Sequence, residues 1–108
     1  MIESSNPTSA RSYVSAWLAD NHGRLGLKQL KLETAELPAK TLSAWYETPG
    51  YLIDICVWDH AHCLDILVTE QSSDALVFSE AGPCGDTTGL LARLNSFSSW
   101  ATSHAAGA

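Results

Sequence analysis

Residues 41–80 read TLSAWYETPGYLIDICVWDHAHCLDILVTEQSSDALVFSE, and the way this stretch pairs with itself decides the fold. Thr48-Pro49-Gly50 is a turn signal between two runs of strand-forming residues. If Thr48 pairs with Tyr51, then Tyr46 faces Ile53, Ala44 faces Ile55 and Leu42 faces Val57. A two-residue turn at His60-Ala61, with Asp59 against His62, sets Val57 opposite Leu64, Ile55 opposite Ile66 and Ile53 opposite Val68. A third hairpin around Gln71-Ser72-Ser73 brings Val68 against Leu76 and Ile66 against Phe78. Side chains alternate between faces, so a slip of one residue would send each of these apolar groups to the other side. The stretch therefore predicts a four-stranded antiparallel meander with one continuous apolar face.

The flanks supply the cover. Asn6-Pro7-Thr8 is a helix start, followed by Ala10, Tyr13, Val14, Trp17 and Leu18 at helical spacing, with Gly23 as a left-handed stop. LGLKQLKLETAEL, residues 25–37, alternates twice, but the phase slips between Leu25/Leu27 and Leu30/Leu32, which predicts a strand with a bulge or two short pieces. AGPCGDTTG, residues 81–89, is a loop, and Asp86 caps a last helix carrying Leu90, Leu91, Leu94, Phe97 and Trp100. The expected architecture is α+β: a two-layer sandwich of an N-terminal helix, an antiparallel meander of about five strands and a C-terminal helix. Val14, Trp17, Leu18, Leu94 and Phe97 are expected to pack on the apolar sheet face. Residues 1–108 are read as one domain, with flexible ends at 1–5 and 102–108.

Composition narrows the function classes. A hydrophobic content of 45% with four tryptophans suits one modest core. Three cysteines, Cys56, Cys63 and Cys84, without CxxC spacing argue against a disulfide framework. The first residues show neither a basic nor an apolar signal region, and no apolar run approaches the about 18 residues of a membrane span. A reduced, cytoplasmic setting is the expectation. The net charge is −6, and residues 41–92 hold eight acids and no lysine or arginine. Such a half disfavours nucleic acid and anionic membranes and favours a basic partner. A solvated acidic surface would read the same way.

His60-Ala61-His62-Cys63 is the one cluster of ligand-type residues. It lacks the second half that zinc sites pair with such a motif, so a solvated turn is expected and no metal site. Cys63 falls opposite Trp58 and Cys56 opposite Asp65, and neither has a histidine with an orienting group behind it. A thiol beside carboxylates has its reactive thiolate disfavoured. No catalytic residues, no cofactor and no enzymatic activity are expected.

The second face of the sheet is different. It carries Trp45, Glu47, Leu52, Asp54, Cys56, Trp58, Cys63, Asp65, Leu67 and Val77. Aromatic residues beside carboxylates suit a protein interface, where aromatics anchor and charge steers. The alternative is that loops or the first helix cover this face as a minor core. Trp45, Glu47, Asp54, Trp58 and Asp65, together with Glu80, are the candidate partner-binding residues.

The block SAWYETPGYLIDICVWDHAHCLDILVTEQSSDALVFSEAG, followed by a short helix ending near a tryptophan, resembles the TriTu immunity proteins found beside bacterial polymorphic toxins. The resemblance rests on Trp45, Trp58 and the hairpin spacing, and covers roughly residues 41–100. The residues DHAHC stand where that hairpin is expected to have glycine. The resemblance implies a cytoplasmic protein that binds and neutralises one cognate toxin of a contact-dependent or type VI system, without catalysis of its own. Many such toxins are nucleases with basic clefts. The alternative is a small acidic secretion chaperone that binds an effector segment as a dimer. A metal-dependent enzyme would require the His60/His62/Cys63 cluster.

Overall fold

Five strands lie side by side in chain order in one antiparallel sheet, and two helices cover one of its faces. The computed structural model describes residues 9–104. Within them run α1 (Ala10–Asn21), β1 (Lys28–Ala35), β2 (Thr41–Thr48), β3 (Tyr51–Trp58), β4 (Cys63–Glu70), β5 (Leu76–Glu80) and α2 (Thr87–His104). The fold is the expected α+β arrangement.

The first two hairpins have the registers that the apolar pattern demands. Tyr46 pairs with Ile53, Ala44 with Ile55 and Leu42 with Val57. Val57 pairs with Leu64, Ile55 with Ile66 and Ile53 with Val68. Gly50 takes φ +92°, the left-handed value that a Pro-Gly turn of type II requires at its second central residue. The loop after β3 is longer than the two-residue turn expected: pairing stops at Trp58 and Cys63, and Asp59–His62 form a four-residue loop containing a short 3-10 turn.

The third hairpin departs from the expected register by two residues. Val68 pairs with Phe78 and Ile66 with Glu80, because the turn extends through Asp74 and Val77 is an extra residue bulged out of β5. The Glu70 N–H donates to the Ala75 carbonyl and the Asp74 N–H to the Glu70 carbonyl, both at 2.8 Å, which closes this longer turn. The gain is Phe78, which joins Phe97 and Trp100 over the core in place of the smaller Leu76.

The bulge expected in the first strand lies between Gln29 and Lys31. Leu25 and Leu27, expected in that strand, belong instead to the turn closing α1. The Leu27 N–H donates to the His22 carbonyl at 2.9 Å and the Gly26 N–H to the Gly23 carbonyl at 3.1 Å, with Gly26 at φ +74°. This is the paired closure of a helix end on a left-handed residue, so the stop is Gly26 and not Gly23. The added turn delivers Leu25 and Leu27 into the core. The start expected at Asn6-Pro7-Thr8 lies outside the described residues. The cap within them is Ser9, whose Oγ accepts the Ser12 N–H at 3.1 Å. At the other end, α2 continues through Thr102–His104, residues expected to fray, and the His104 ring stacks on Trp100.

The core is the inner sheet face with one stripe from each helix: Ala10, Val14 and Leu18 from α1, and Leu90, Leu94, Phe97 and Ala101 from α2. Trp17 packs against it half-buried, while Leu91 falls outside the stripe and is exposed. Ile53, Ile55, Val57, Leu64, Ile66 and Val68 are each at most 1% exposed. Each contributes about 1.5–3 kcal/mol by burial, against about 0.5–1.5 for a typical hydrogen bond, so this face dominates the stability. The Thr48 hydroxyl is buried there without a hydrogen-bond partner among the described residues.

Two substitutions test this packing. Ile55→Ala should lower the unfolding free energy in urea by about 2–5 kcal/mol, whereas Leu67→Ala on the opposite face should change it by less than about 0.5 kcal/mol. Gly89 should also resist change. Helix propensity alone would make Gly89→Ala stabilising by about 1 kcal/mol, but a Cβ there would overlap the Cys84 carbonyl oxygen. Thermal unfolding should show a lowered midpoint.

Candidate functional site

The same alternation that fills the core builds the outer face in rows across the strands. Lys28, Glu47, Leu52 and Thr69 form one row; Lys31, Trp45, Asp54 and Leu67 form the next. Then come Glu33, Ser43, Cys56 and Asp65, and last Ala35, Thr41, Trp58 and Cys63. Neither helix covers these rows. Leu30, Leu52, Leu67 and Val77 stay 37–47% exposed, so this face is not a second core.

Five of the six candidate residues therefore share the face, and four of them divide between two depressions. A groove of about 590 Å³ runs along the row of Trp45 and Asp54, walled by Leu30, Leu52 and Leu67. A smaller one of about 280 Å³ lies between Trp58, His60, Cys63 and Asp65. Ser43 and Cys56 separate them, Oγ to Sγ at 3.5 Å. Glu47 lies beside the first groove, across from Lys28. Glu80 does not belong to the face. Pairing in β5 sets it opposite Ile66, on the helix-bearing side, where Arg93 Nε lies 3.4 Å from its carboxylate.

Electrostatics sort the remaining acids. Asp54 is exposed and belongs to none of the ion pairs among the described residues. Asp65 is half-buried and accepts the Gly82 N–H at 3.0 Å, so it holds a loop as well as lining the smaller depression. Burial pushes the Cys56 thiol up, with Asp54 and Asp65 adding to the effect and the Ser43 hydroxyl opposing it. Burial also pushes Cys84 up, against the pull of Arg93. Neither thiol is poised as a nucleophile at neutral pH. All three cysteines are free.

The DHAHC stretch has a structural task. Asp59 reaches back 48 residues: its Oδ1 accepts the Arg11 backbone N–H at 2.9 Å and its Oδ2 the Arg11 Nε–H at 3.2 Å. A carboxylate thus satisfies one free N–H in the first turn of α1, where the helix dipole favours negative charge. Arg11 continues to Glu36 at 2.9 Å, and that hydrogen bond, with the charges of Glu36 and Asp59, raises its pKa against the opposing effect of burial. Beyond Asp59, Ala61 and His62 take φ of +54° and +49°. Their carbonyls accept the Gly85 and Cys84 N–H groups, both at 3.0 Å, and dock the loop that leads into α2. Among the described residues no group of three or more histidine, cysteine, aspartate or glutamate side chains is arranged to hold a metal ion.

Sequence reasoning missed Asp59 and Arg93 as connectors. Arg93 donates from Nη1 to the Leu64 and Gly82 carbonyls, both at 2.8 Å, and so ties α2 to β4. Its signal was present: it is the first base after 52 residues without one. Asp59 had no signal, since nothing local marks a cap for a helix 48 residues away.

A scan against protein-family models, a search of curated proteins and a search of solved structures each returned no match to this chain. The functional reading therefore stands on the chemistry of the face.

The connecting role of Asp59 separates it from its histidine neighbours. Asp59→Ala should cost about 1 kcal/mol, as a lost helix cap does, lowering the melting midpoint by about 4–8 °C. His60→Ala with His62→Ala should shift it far less. Thermal scans of the variants, with a zinc titration of the parent protein, check both statements, and tight one-to-one zinc binding would refute the second.

Proposed function

We propose that this chain is an immunity protein that binds and neutralises a cognate bacterial toxin domain through the outer face of its sheet. One observation carries the reading: half of the sheet surface is left uncovered by the described residues, and it presents Trp45 and Trp58 among exposed leucines and carboxylates. An uncovered apolar patch rimmed by polar groups marks an interaction surface. Aromatics supply desolvated anchors there, and carboxylates speed the encounter with a basic partner. Eight acids and no base in residues 41–92 suit a toxin whose active cleft is basic, as a nuclease cleft is. The chain acts by occupying that surface and does no chemistry itself. No helix among the described residues is long and apolar enough to cross a membrane.

The exposed leucines also favour a second reading, a secretion chaperone holding an unfolded effector segment. Size-exclusion chromatography separates the two, because the chaperone would be an obligate dimer and the immunity protein would form a one-to-one complex with a folded toxin.

Kinetic binding to a candidate cognate toxin domain tests the face. Asp54→Lys with Glu47→Lys should slow association and flatten its dependence on salt, since rim charges act mainly on the encounter. Asp65 is a poorer choice because it also holds Gly82. Trp45→Ala should raise the dissociation rate by about thirtyfold, as loss of about 2 kcal/mol at an anchor does. Folded variants, checked by circular dichroism, that bind with unchanged rates would place the interface on another surface.

A further inference from the structure

The larger groove already holds a cation of this chain. Lys31 Nζ lies over the Trp45 ring, 5.5 Å from its centre, and is tethered to the Glu33 carboxylate at 2.9 Å. Directly across from Trp45, on the side away from Lys31, stands Asp54, which none of the ion pairs among the described residues engages. Leu52 and Leu67 line the groove beside it. An aromatic face, an unengaged carboxylate next to it and an apolar wall are the three contacts a long cationic side chain seeks. Lys31 uses only the first of them.

We propose that this groove receives one arginine side chain of the bound protein, which displaces Lys31 from the face of Trp45 and pairs with Asp54. The inference rests on the reading that this face binds a protein. Arginine fits better than lysine because its planar guanidinium stacks on indole and meets a carboxylate with two parallel hydrogen bonds, while its stem lies on leucine. A second copy of this chain is a poor donor, since its three arginines are already engaged. Arg11 binds Asp59 and Glu36, Arg24 binds Asn21 and Ser98, and Arg93 binds the Leu64 and Gly82 carbonyls. The guest arginine therefore belongs to a different protein.

The test needs no toxin. The isotope-labelled chain is titrated with acetyl-Gly-Arg-Gly-amide and with the same peptide carrying citrulline, which keeps the shape of arginine and lacks its charge. The indole N–H of Trp45, assigned by its loss in Trp45→Phe, is followed by NMR. The arginine peptide should shift that resonance and the citrulline peptide should not. Lys31→Ala should tighten arginine-peptide binding about two- to fivefold by vacating the ring, and Asp54→Asn should weaken it at least tenfold. Equal binding of the citrulline peptide, weaker binding to Lys31→Ala, or no effect of Asp54→Asn would overturn the inference, as would a Trp45 shift caused only by raising the concentration of this chain. The outcome is separable from the functional reading. A toxin that loses binding on Trp45→Ala while the peptides fail leaves the face as the interface without the arginine. Peptide binding with no toxin binding leaves the groove without the immunity role.

Discussion

One constraint governs the rest of this molecule: side chains alternate across a sheet, and both helices lie on the same side of it. Burying Ile53, Ile55 and Val57 obliges Leu52, Asp54, Cys56 and Trp58 to point the other way. The core and the candidate binding face are two readings of the same registers, and neither can change without the other. A shift of one residue in β3 would put Asp54 into the core and Ile55 on the surface. The large burial term of the inner face thus fixes the positions of the outer side chains.

The helix layer needs more than apolar contact to sit correctly on that sheet, because burial is non-directional. Direction comes from two arginines. Arg11 at the start of α1 reaches the loop after β3 through Asp59, and Arg93 in α2 reaches the backbone of β4 and of the loop after β5. Each is mostly covered, with side chains 19% exposed, and each meets several acceptors. The long run of acids is thereby less uniform than its composition suggests. Asp59, Asp65 and Glu80 are occupied with internal partners, and Asp54 in the groove is not.

What was legible in the sequence follows from range and period. The registers of the first two hairpins were readable because Pro49-Gly50 fixes one turn and three apolar pairs agree on the next. The bulge in β1 was readable because the alternation begun by Leu25 and Leu27 slips before Leu30 and Leu32, although the first two leucines belong to the turn before the strand. The third register was not, because a polar turn gives no length, and an extra residue such as Val77 keeps the local look of a strand. Gly23 misled as a helix stop because Gly26 lies one turn on, and only the need to bury Leu25 and Leu27 distinguishes them. Five of the six candidate site residues were placed on the right face by parity alone. Glu80 has core-face parity in the expected and in the observed register alike, since a shift of two residues preserves it.

The edges of the sheet sharpen the case for its face. An open five-stranded sheet has two unpaired edges, either of which could recruit another strand. Here β1 is kinked by its bulge and carries Lys28 and Lys31, and β5 has only five residues and a bulge of its own. Short, bulged and lysine-bearing edges discourage strand addition. Among the described residues no comparable device protects the outer face, where Leu52 and Leu67 remain open beside Trp45. Its one internal occupant is Lys31, held by a contact worth about 0.5–1 kcal/mol at an exposed site, which a desolvated partner group can replace. Association is thus resisted along the edges and permitted across the face.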